Sequence, residues 1–301
     1  MEHYKKQVAL LLHVIPVVEK EECFALHGGT AINLFVRNMP RLSVDIDLTY
    51  LPVEDRDTTY ENIGLSLEKI KKNIEERIPN TKVNHQKELL KLQISNNEAQ
   101  IKVEVNQGMR GVIGQVEKRV LCGVAQEEFD VFCTINVVSL GQLYGGKICA
   151  ALDRQHPRDL FDVKLLLESE GISRSILNGF FTYLLSHNRP ITEVMQPRWK
   201  DIEDVFYNEF EGMTFAPIAL DELLAVREKM LAALKMHFTS RDAEFLISFK
   251  SGEPDWSLFE YPKIQHLPAI KWKLENIRKM GEEKHSLALR KLNILLEEWR
   301  G

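Results

Sequence analysis

Residues 41–48 read Arg41-Leu42-Ser43-Val44-Asp45-Ile46-Asp47-Leu48 and alternate strictly between polar and apolar side chains. Neighbouring side chains of a strand point to opposite faces, so this spacing predicts a half-buried strand. Leu42, Val44, Ile46 and Leu48 form its apolar face, and Arg41, Ser43, Asp45 and Asp47 its polar one. Just upstream, Glu22-Cys23-Phe24-Ala25-Leu26 reads as a short buried strand, followed by the turn His27-Gly28-Gly29. Thr30 to Val36 then reads as a helix that starts directly after the glycines. A strand, a glycine turn, a helix and a second strand with paired carboxylates form one compact unit, and the remaining segments are placed around it.

Downstream, Ile63, Leu67, Ile70, Ile74 and Ile78 recur at three- and four-residue spacing, as one face of a helix requires. Leu89–Ile94 and Ile101–Val105 alternate again and are set to pair as a hairpin around Ser95-Asn96-Asn97. Val131–Val138 is the last strand that the pattern supports. From Ser139 onward the period is helical throughout. Ser139-Leu140-Gly141-Gln142 fits a capping box opening a helix to about Asp153, Pro157 suits a helix first turn, and Gly171 suits its end. Further helices are expected near 174–187, 219–238, 266–279 and 283–299. The fold class is therefore α+β: residues 1–138 carry a small mixed sheet with helices, and residues 139–301 form an all-helical domain.

The whole-chain properties exclude several classes. With 301 residues, two domains are the expectation. A 44% apolar and 28% charged composition is that of an ordinary globular chain. No run of eighteen apolar residues suggests a membrane span, and no secretory signal is visible, which points to a cytoplasmic protein. Cys23, Cys122, Cys133 and Cys149 share no CxxC spacing, so neither a zinc site nor a disulfide framework is expected. A net charge of −5 gives no global sign of nucleic-acid binding, although eight Lys and Arg residues against three Glu lie between Lys263 and Lys291.

The chemistry-bearing residues fall into clusters. Residues i and i+2 of a strand lie about 6–7 Å apart on one side. The Asp45 and Asp47 carboxylates can thus converge on magnesium, a hard ion that takes oxygen ligands and sits against phosphates. Gly28-Gly29-Thr30 lets backbone N–H groups approach a phosphate at a helix start, while the Thr30 hydroxyl either caps that helix or meets a terminal phosphate. Glu104, in Ile101-Lys102-Val103-Glu104-Val105, is either a third metal ligand or part of a solvated strand face. Gly145 and Gly146 precede Lys147 inside a helix, at about 1 kcal/mol each in propensity, so something approaches that face closely, either a helix or a nucleotide. Lys147 with Arg158-Asp159-Leu160-Phe161-Asp162 is either a phosphate-binding and proton-accepting pair or an inter-helix ion pair.

In combination these segments resemble the AbiEii/AbiGii nucleotidyltransferase toxins. His27-Gly28-Gly29-Thr30-Ala31 followed by Arg41–Leu48 is similar to their opening motif, and Lys147 with Arg158–Asp162 to a later one. Phe245-Leu-Ile-Ser-Phe-Lys-Ser-Gly-Glu-Pro-Asp-Trp256, continuing to Leu267-Pro-Ala-Ile-Lys-Trp-Lys273, resembles their C-terminal region. The resemblance implies a DNA-polymerase-beta-like nucleotidyltransferase domain joined to a helical domain. It implies transfer of a nucleoside monophosphate from a nucleoside triphosphate to an acceptor with Mg2+, within a toxin–antitoxin or phage-defence system with a cognate antitoxin protein. Related MenT toxins modify the 3′ end of tRNA, which makes tRNA the expected acceptor. Matched onto this chain, the family's roles make Asp45 and Asp47 metal ligands and Asp162 a catalytic carboxylate. Lys147 would contact the nucleotide, with Gly28, Gly29, Thr30 and Ser43 holding the triphosphate. Two other classes share these features: an enzyme that adenylylates a small molecule such as an antibiotic, and a nucleotide-binding interaction protein without turnover.

Overall fold

A computed structural model describes residues 1–300, in two units. The first comprises Met1–Ser139 together with Tyr207–Ile218, and the second Leu140–Phe206 together with Ala219–Gly301.

The first unit is built on a seven-stranded mixed sheet. Its strands are β1 (Phe24–His27), β2 (Asp45–Tyr50), β3 (Lys82–Gln86), β4 (Lys91–Ser95), β5 (Gln100–Val105), β6 (Glu117–Val120) and β7 (Thr134–Val137), in the order β3-β4-β5-β2-β1-β7-β6. Helices α1 (Glu2–Val18), α2 (Gly28–Thr30), α3 (Arg56–Arg77) and α4 (Gly123–Phe129) complete it. The hairpin of β4 and β5 forms where Asn96 organises the turn: its side chain accepts the Glu98 and Ala99 N–H groups at 2.9 and 2.8 Å. Asp55 caps α3 by accepting the Thr58 N–H at 3.0 Å, and Ile63, Leu67, Ile70 and Ile74 are its buried stripe. Val8–Val18 belongs to α1, which includes Pro16 in its last turn; Pro16 has no N–H to donate back to the Leu12 carbonyl.

The strand expected over 41–48 begins only at Asp45. Arg41 instead bridges to Thr214, and the Leu42 N–H donates to the Met213 carbonyl at 2.8 Å. The segment 207–218 thus returns to the first unit and pairs with 41–42, a long-range partner that no local pattern announces. The helix after the glycines starts at Gly28 and widens into a π-helix over Ala31–Val36, with the Arg37 N–H reaching back to the Ile32 carbonyl at 2.8 Å.

The second unit is helical: α5 (Leu140–Asp153), α6 (Pro157–Glu168), α7 (Arg174–Ser186), α8 (Ile191–Met195), α9 (Glu203–Glu209, which crosses into the first unit after Phe206), α10 (Leu220–His237), α11 (Ser240–Ser251), α12 (Pro268–Arg278) and α13 (Glu282–Arg300). A Cβ on Gly145 would fall on the backbone of Gly179 and Phe180, and one on Gly141 would lie 2.6 Å from the Ser175 carbonyl oxygen. The close approach expected beside Gly145 is therefore that of a helix, α7. In the C-terminal region Phe245 stacks on Phe259 at 4.6 Å and packs against Trp256 at 5.6 Å, so these three aromatic residues form one cluster.

Candidate active site

In the first unit the register places the carboxylates against the glycine turn. β2 runs antiparallel to β1 with His27 opposite Asp47, and parallel to β5 with Asp47 opposite Glu104. Ile46 and Leu48 are fully buried while Asp45 and Asp47 stay partly exposed, as the alternation requires. Gly28 adopts φ +74°, and a Cβ there would overlap the Asp47 carboxylate. A Cβ on Gly29 would stand 2.8 Å from Arg41 Nη2 and 2.9 Å from Ser43 Oγ. The turn thus lies directly against Arg41, Ser43 and Asp47, leaving no room there for a side chain.

Three buried polar side chains hold this arrangement. The Thr30 hydroxyl, with no exposed surface, donates to the Asp45 carbonyl at 2.5 Å and shares a hydrogen bond with the Ser43 hydroxyl at 3.0 Å. It fixes the start of β2 relative to the glycine turn. Asn33 donates to the Gly29 carbonyl at 2.9 Å. Arg41, only 2% exposed, donates to the Leu42 carbonyl at 3.0 Å and presents its guanidinium to Gly29. Sequence reasoning did not assign Arg41 or Asn33. Arg41 carried a signal, its place on the polar face of residues 41–47; Asn33 carried none beyond lying four residues after Gly29.

Glu104 stands beside Asp47 on β5, and its carboxylate pairs with Lys91 at 3.3 Å on the next strand. No group of three His, Cys, Asp or Glu side chains placed to hold a metal ion occurs among the described residues. What the first unit offers is the two-carboxylate set of Asp45 and Asp47. All-oxygen donors in that number suit magnesium, which keeps its remaining positions for water and phosphate oxygens. The glycine turn sets backbone rather than a side chain against Asp47, and Asp45 and Asp47 are both partly exposed, so the residues present fit the ion.

Lys147 and Asp162 lie in the second unit. From α5, Lys147 Nζ contacts Asp159 Oδ1 at 2.9 Å and Asp162 Oδ2 at 3.1 Å, both on α6. Arg154 adds a bidentate contact to Asp159 at 2.5 and 2.8 Å. Both carboxylates are fully buried and Lys147 is 6% exposed. Burial alone would push Asp159 up, but the charges of Lys147 and Arg154 reverse it and hold the carboxyl well below the usual range. Of the two readings open for Lys147, the inter-helix ion pair is present; Arg154 is a member that the sequence did not reveal.

The basic stretch 263–291 is less free than its composition suggests. Lys273 donates to the carbonyls of His187 and Arg189 at 2.5 and 3.1 Å, Arg278 to the Gly252 carbonyl at 3.1 Å, and Lys279 pairs with Glu275 at 2.5 Å. Among the described residues no helix is long and apolar enough to cross a membrane.

Comparison with known proteins agrees with this architecture. The structure is similar to that of MenT4, a nucleotidyltransferase toxin from Mycobacterium tuberculosis H37Rv, with a TM-score of 0.63 and 14% identity over 96% of this chain and 93% of that one. At that identity the likeness speaks for the fold. No curated protein matches the chain. The family model described as nucleotidyl transferase AbiEii toxin, type IV TA system, matches residues 9–276. That span contains the glycine turn, both carboxylates of β2 and the Lys147 cluster, and the chain belongs to the AbiEii nucleotidyltransferase toxin family.

Proposed function

We propose that this protein transfers a nucleoside monophosphate from a nucleoside triphosphate to the 3′ end of tRNA, as the toxin partner of a cognate antitoxin in the cytoplasm. The observation that carries the reading is the contact of Gly28 with Asp47: a left-handed glycine laid on one of two carboxylates that share a strand face. Such a turn brings backbone N–H groups, rather than a side chain, beside the metal-binding oxygens. Asp45 and Asp47 would hold Mg2+, which neutralises charge on the reacting phosphates. Gly28, Gly29 and Ser43 receive the triphosphate, Arg41 supplies positive charge beneath the turn, and Thr30 keeps β2 in place. The acceptor hydroxyl oxygen bonds to the α-phosphorus, the bond to pyrophosphate breaks, and pyrophosphate leaves with its electrons. The hydroxyl proton passes to a carboxylate, the role that the resemblance of Arg158–Asp162 to the family's later motif implies for Asp162, as it implies a nucleotide contact for Lys147.

The test is incubation of the protein with total cellular RNA and each labelled nucleoside triphosphate, with and without Mg2+. Label in a tRNA-sized band that disappears on chelation is the expected result. Transfer to a small molecule with none to RNA would replace the tRNA assignment with the antibiotic-modifying type of reaction. Binding of nucleotide with no transfer to either would leave a nucleotide-binding protein without turnover.

A further inference from the structure

Between α8 and α9 of the second unit the chain runs through Arg198-Trp199-Lys200, which belongs to no helix or strand. Surface segments of this kind are ordinarily mobile. This one is clamped from beneath by two buried side chains. Gln155, 1% exposed, donates to the Arg198 carbonyl at 2.9 Å and accepts the Lys200 N–H at 2.8 Å. Arg227, 6% exposed, donates to the Lys200 carbonyl at 2.8 Å. Gln155 itself sits at φ +58°, a left-handed conformation that costs a non-glycine residue about 1–2 kcal/mol. Strain and two buried polar side chains are thus committed to holding three surface residues in one shape, which is how a recognition element is made rigid.

The side chain at the centre is held as firmly. The Trp199 indole N–H donates to Glu228 at 2.8 Å, and the Arg227 guanidinium lies 5.3 Å from the ring centroid. One ring edge and one face are therefore occupied. Trp199 lines a cleft of about 860 Å³ together with α8 and α13. Its charged lining is Arg189, Arg198, Lys200 and Lys291 against Glu193 and Glu298. Glu193 is paired with Arg189 at 3.2 Å, and Lys200 reaches the Asp153 carbonyl at 2.9 Å. Arg198 and Lys291 have no acidic partner among the described residues, and the exposed Ile294 adds an apolar surface beside Lys291.

We infer that this cleft binds a single-stranded segment of nucleic acid, with phosphates against Arg198, Lys200 and Lys291 and a base stacked on the face of Trp199 opposite Arg227. Unpaired cations flanking a fixed aromatic plane are the combination that single-stranded nucleic acids select: charge follows the backbone and the ring accepts any base. An acidic protein segment would use the cations but has no need of an immobilised indole face. The inference rests on the reading of the acceptor as RNA and adds where a strand of it is held.

The experiment measures anisotropy of a fluorescein-labelled single-stranded RNA 12-mer titrated with the full-length protein at several salt concentrations. The arms are wild type, Arg198→Glu with Lys291→Glu, and Trp199→Ala, each checked for an unchanged melting temperature. The two charge reversals lie on exposed positions, so they keep the test valid should Trp199→Ala fail to fold. Wild type should bind with an affinity that falls as salt rises. The double charge reversal should weaken binding at least tenfold and reduce the salt slope by about 0.7 for each lost phosphate contact. Trp199→Ala should weaken it about tenfold at every salt concentration. Equal binding by wild type and the double variant overturns the inference, and if tRNA is still labelled in the transfer assay the proposed function stands without it. Free nucleoside monophosphate competing as well as the 12-mer would make the cleft a nucleotide pocket and overturn the strand. Absence of RNA binding by wild type, with transfer to a small molecule, removes both.

Discussion

At the scale of single residues, the contact between Gly28 and Asp47 is the most exacting feature of the first unit. Its φ of +74° disfavours any other residue by about 1–2 kcal/mol, and an added methyl group would displace the Asp47 carboxylate. Gly28→Ala should therefore lower the melting point modestly and abolish transfer. Asp47→Ala should keep the fold while reducing the rate at least about a hundredfold, since it removes a ligand of an ion worth several kcal/mol to the transition state. A labelled-nucleotide assay on both variants checks this; near-normal turnover by Asp47→Ala would remove the central assignment. Lys147 poses a different question because its ammonium already meets two fully buried carboxylates. Lys147→Met removes the ammonium that meets both Asp159 and Asp162, a loss of about 3–5 kcal/mol by analogy with other broken buried pairs. Melting with and without nucleoside triphosphate separates this from a nucleotide role. A variant that is less stable yet shifted by nucleotide as much as wild type holds Lys147 for structure alone.

At the scale of elements, the parts legible in the sequence are those whose signal is local. The hairpin turn at Asn96, the start of α6 at Pro157 and the polar face of β2 each follow from neighbouring residues. The elements that escape are those without a hydrophobic period. Glu117-Lys118-Arg119-Val120 forms β6 at one sheet edge and Lys82–Gln86 forms β3 at the other. Both are short and polar, as exposed edges tend to be. The π-helix over Ala31–Val36 escapes because its apolar residues read equally well as an ordinary α-helix. Site residues follow the same division. Asp45 and Asp47 are readable because strand alternation is local, whereas the tie of Lys273 to α7 is not. Lys273 caps the carbonyls that follow α7, and burial pushes its ammonium down to about 8, with Lys250 adding to the effect. From about pH 8 to 10.5 the unfolded chain holds this proton and the folded chain releases it, so stability rises with pH across that window. Lys273→Gln should remove that rise. Urea midpoints of wild type and variant, compared at pH 7.5 and 10, should draw apart at the higher pH; a constant difference would refute the coupling.

At the scale of the whole molecule, the chain is divided by contacts rather than by sequence position. Residues 207–218 join the first unit although they follow sixty-odd residues of the second, between Leu140 and Phe206. This is the part of the organisation least visible beforehand, since nothing in Tyr207–Ile218 resembles the polymerase-like motifs. Its importance lies in what it holds. Met213 and Thr214 pair with Leu42 and Arg41, and Arg41 lies against Gly29 in the candidate active site. Phe210 and Met213 are each only 1% exposed, so the segment is anchored by burial and not merely draped on the surface. Phe210→Ala should then cost about 3–5 kcal/mol, as large-to-small core substitutions of phenylalanine do. The loss should be local: hydrogen exchange should speed up in segments 41–50 and 207–218, while the α5–α7 crossing in the second unit keeps its protection. Transfer activity should fall with it, because a loosened Arg41 no longer backs the turn that faces Asp47. Exchange that rises equally across both units would mean that the two unfold as one body, and that the segment's anchoring is shared by the whole chain. Retained protection at 41–50 despite lost protection at 207–218 would show that Arg41 and Leu42 are held by the sheet alone.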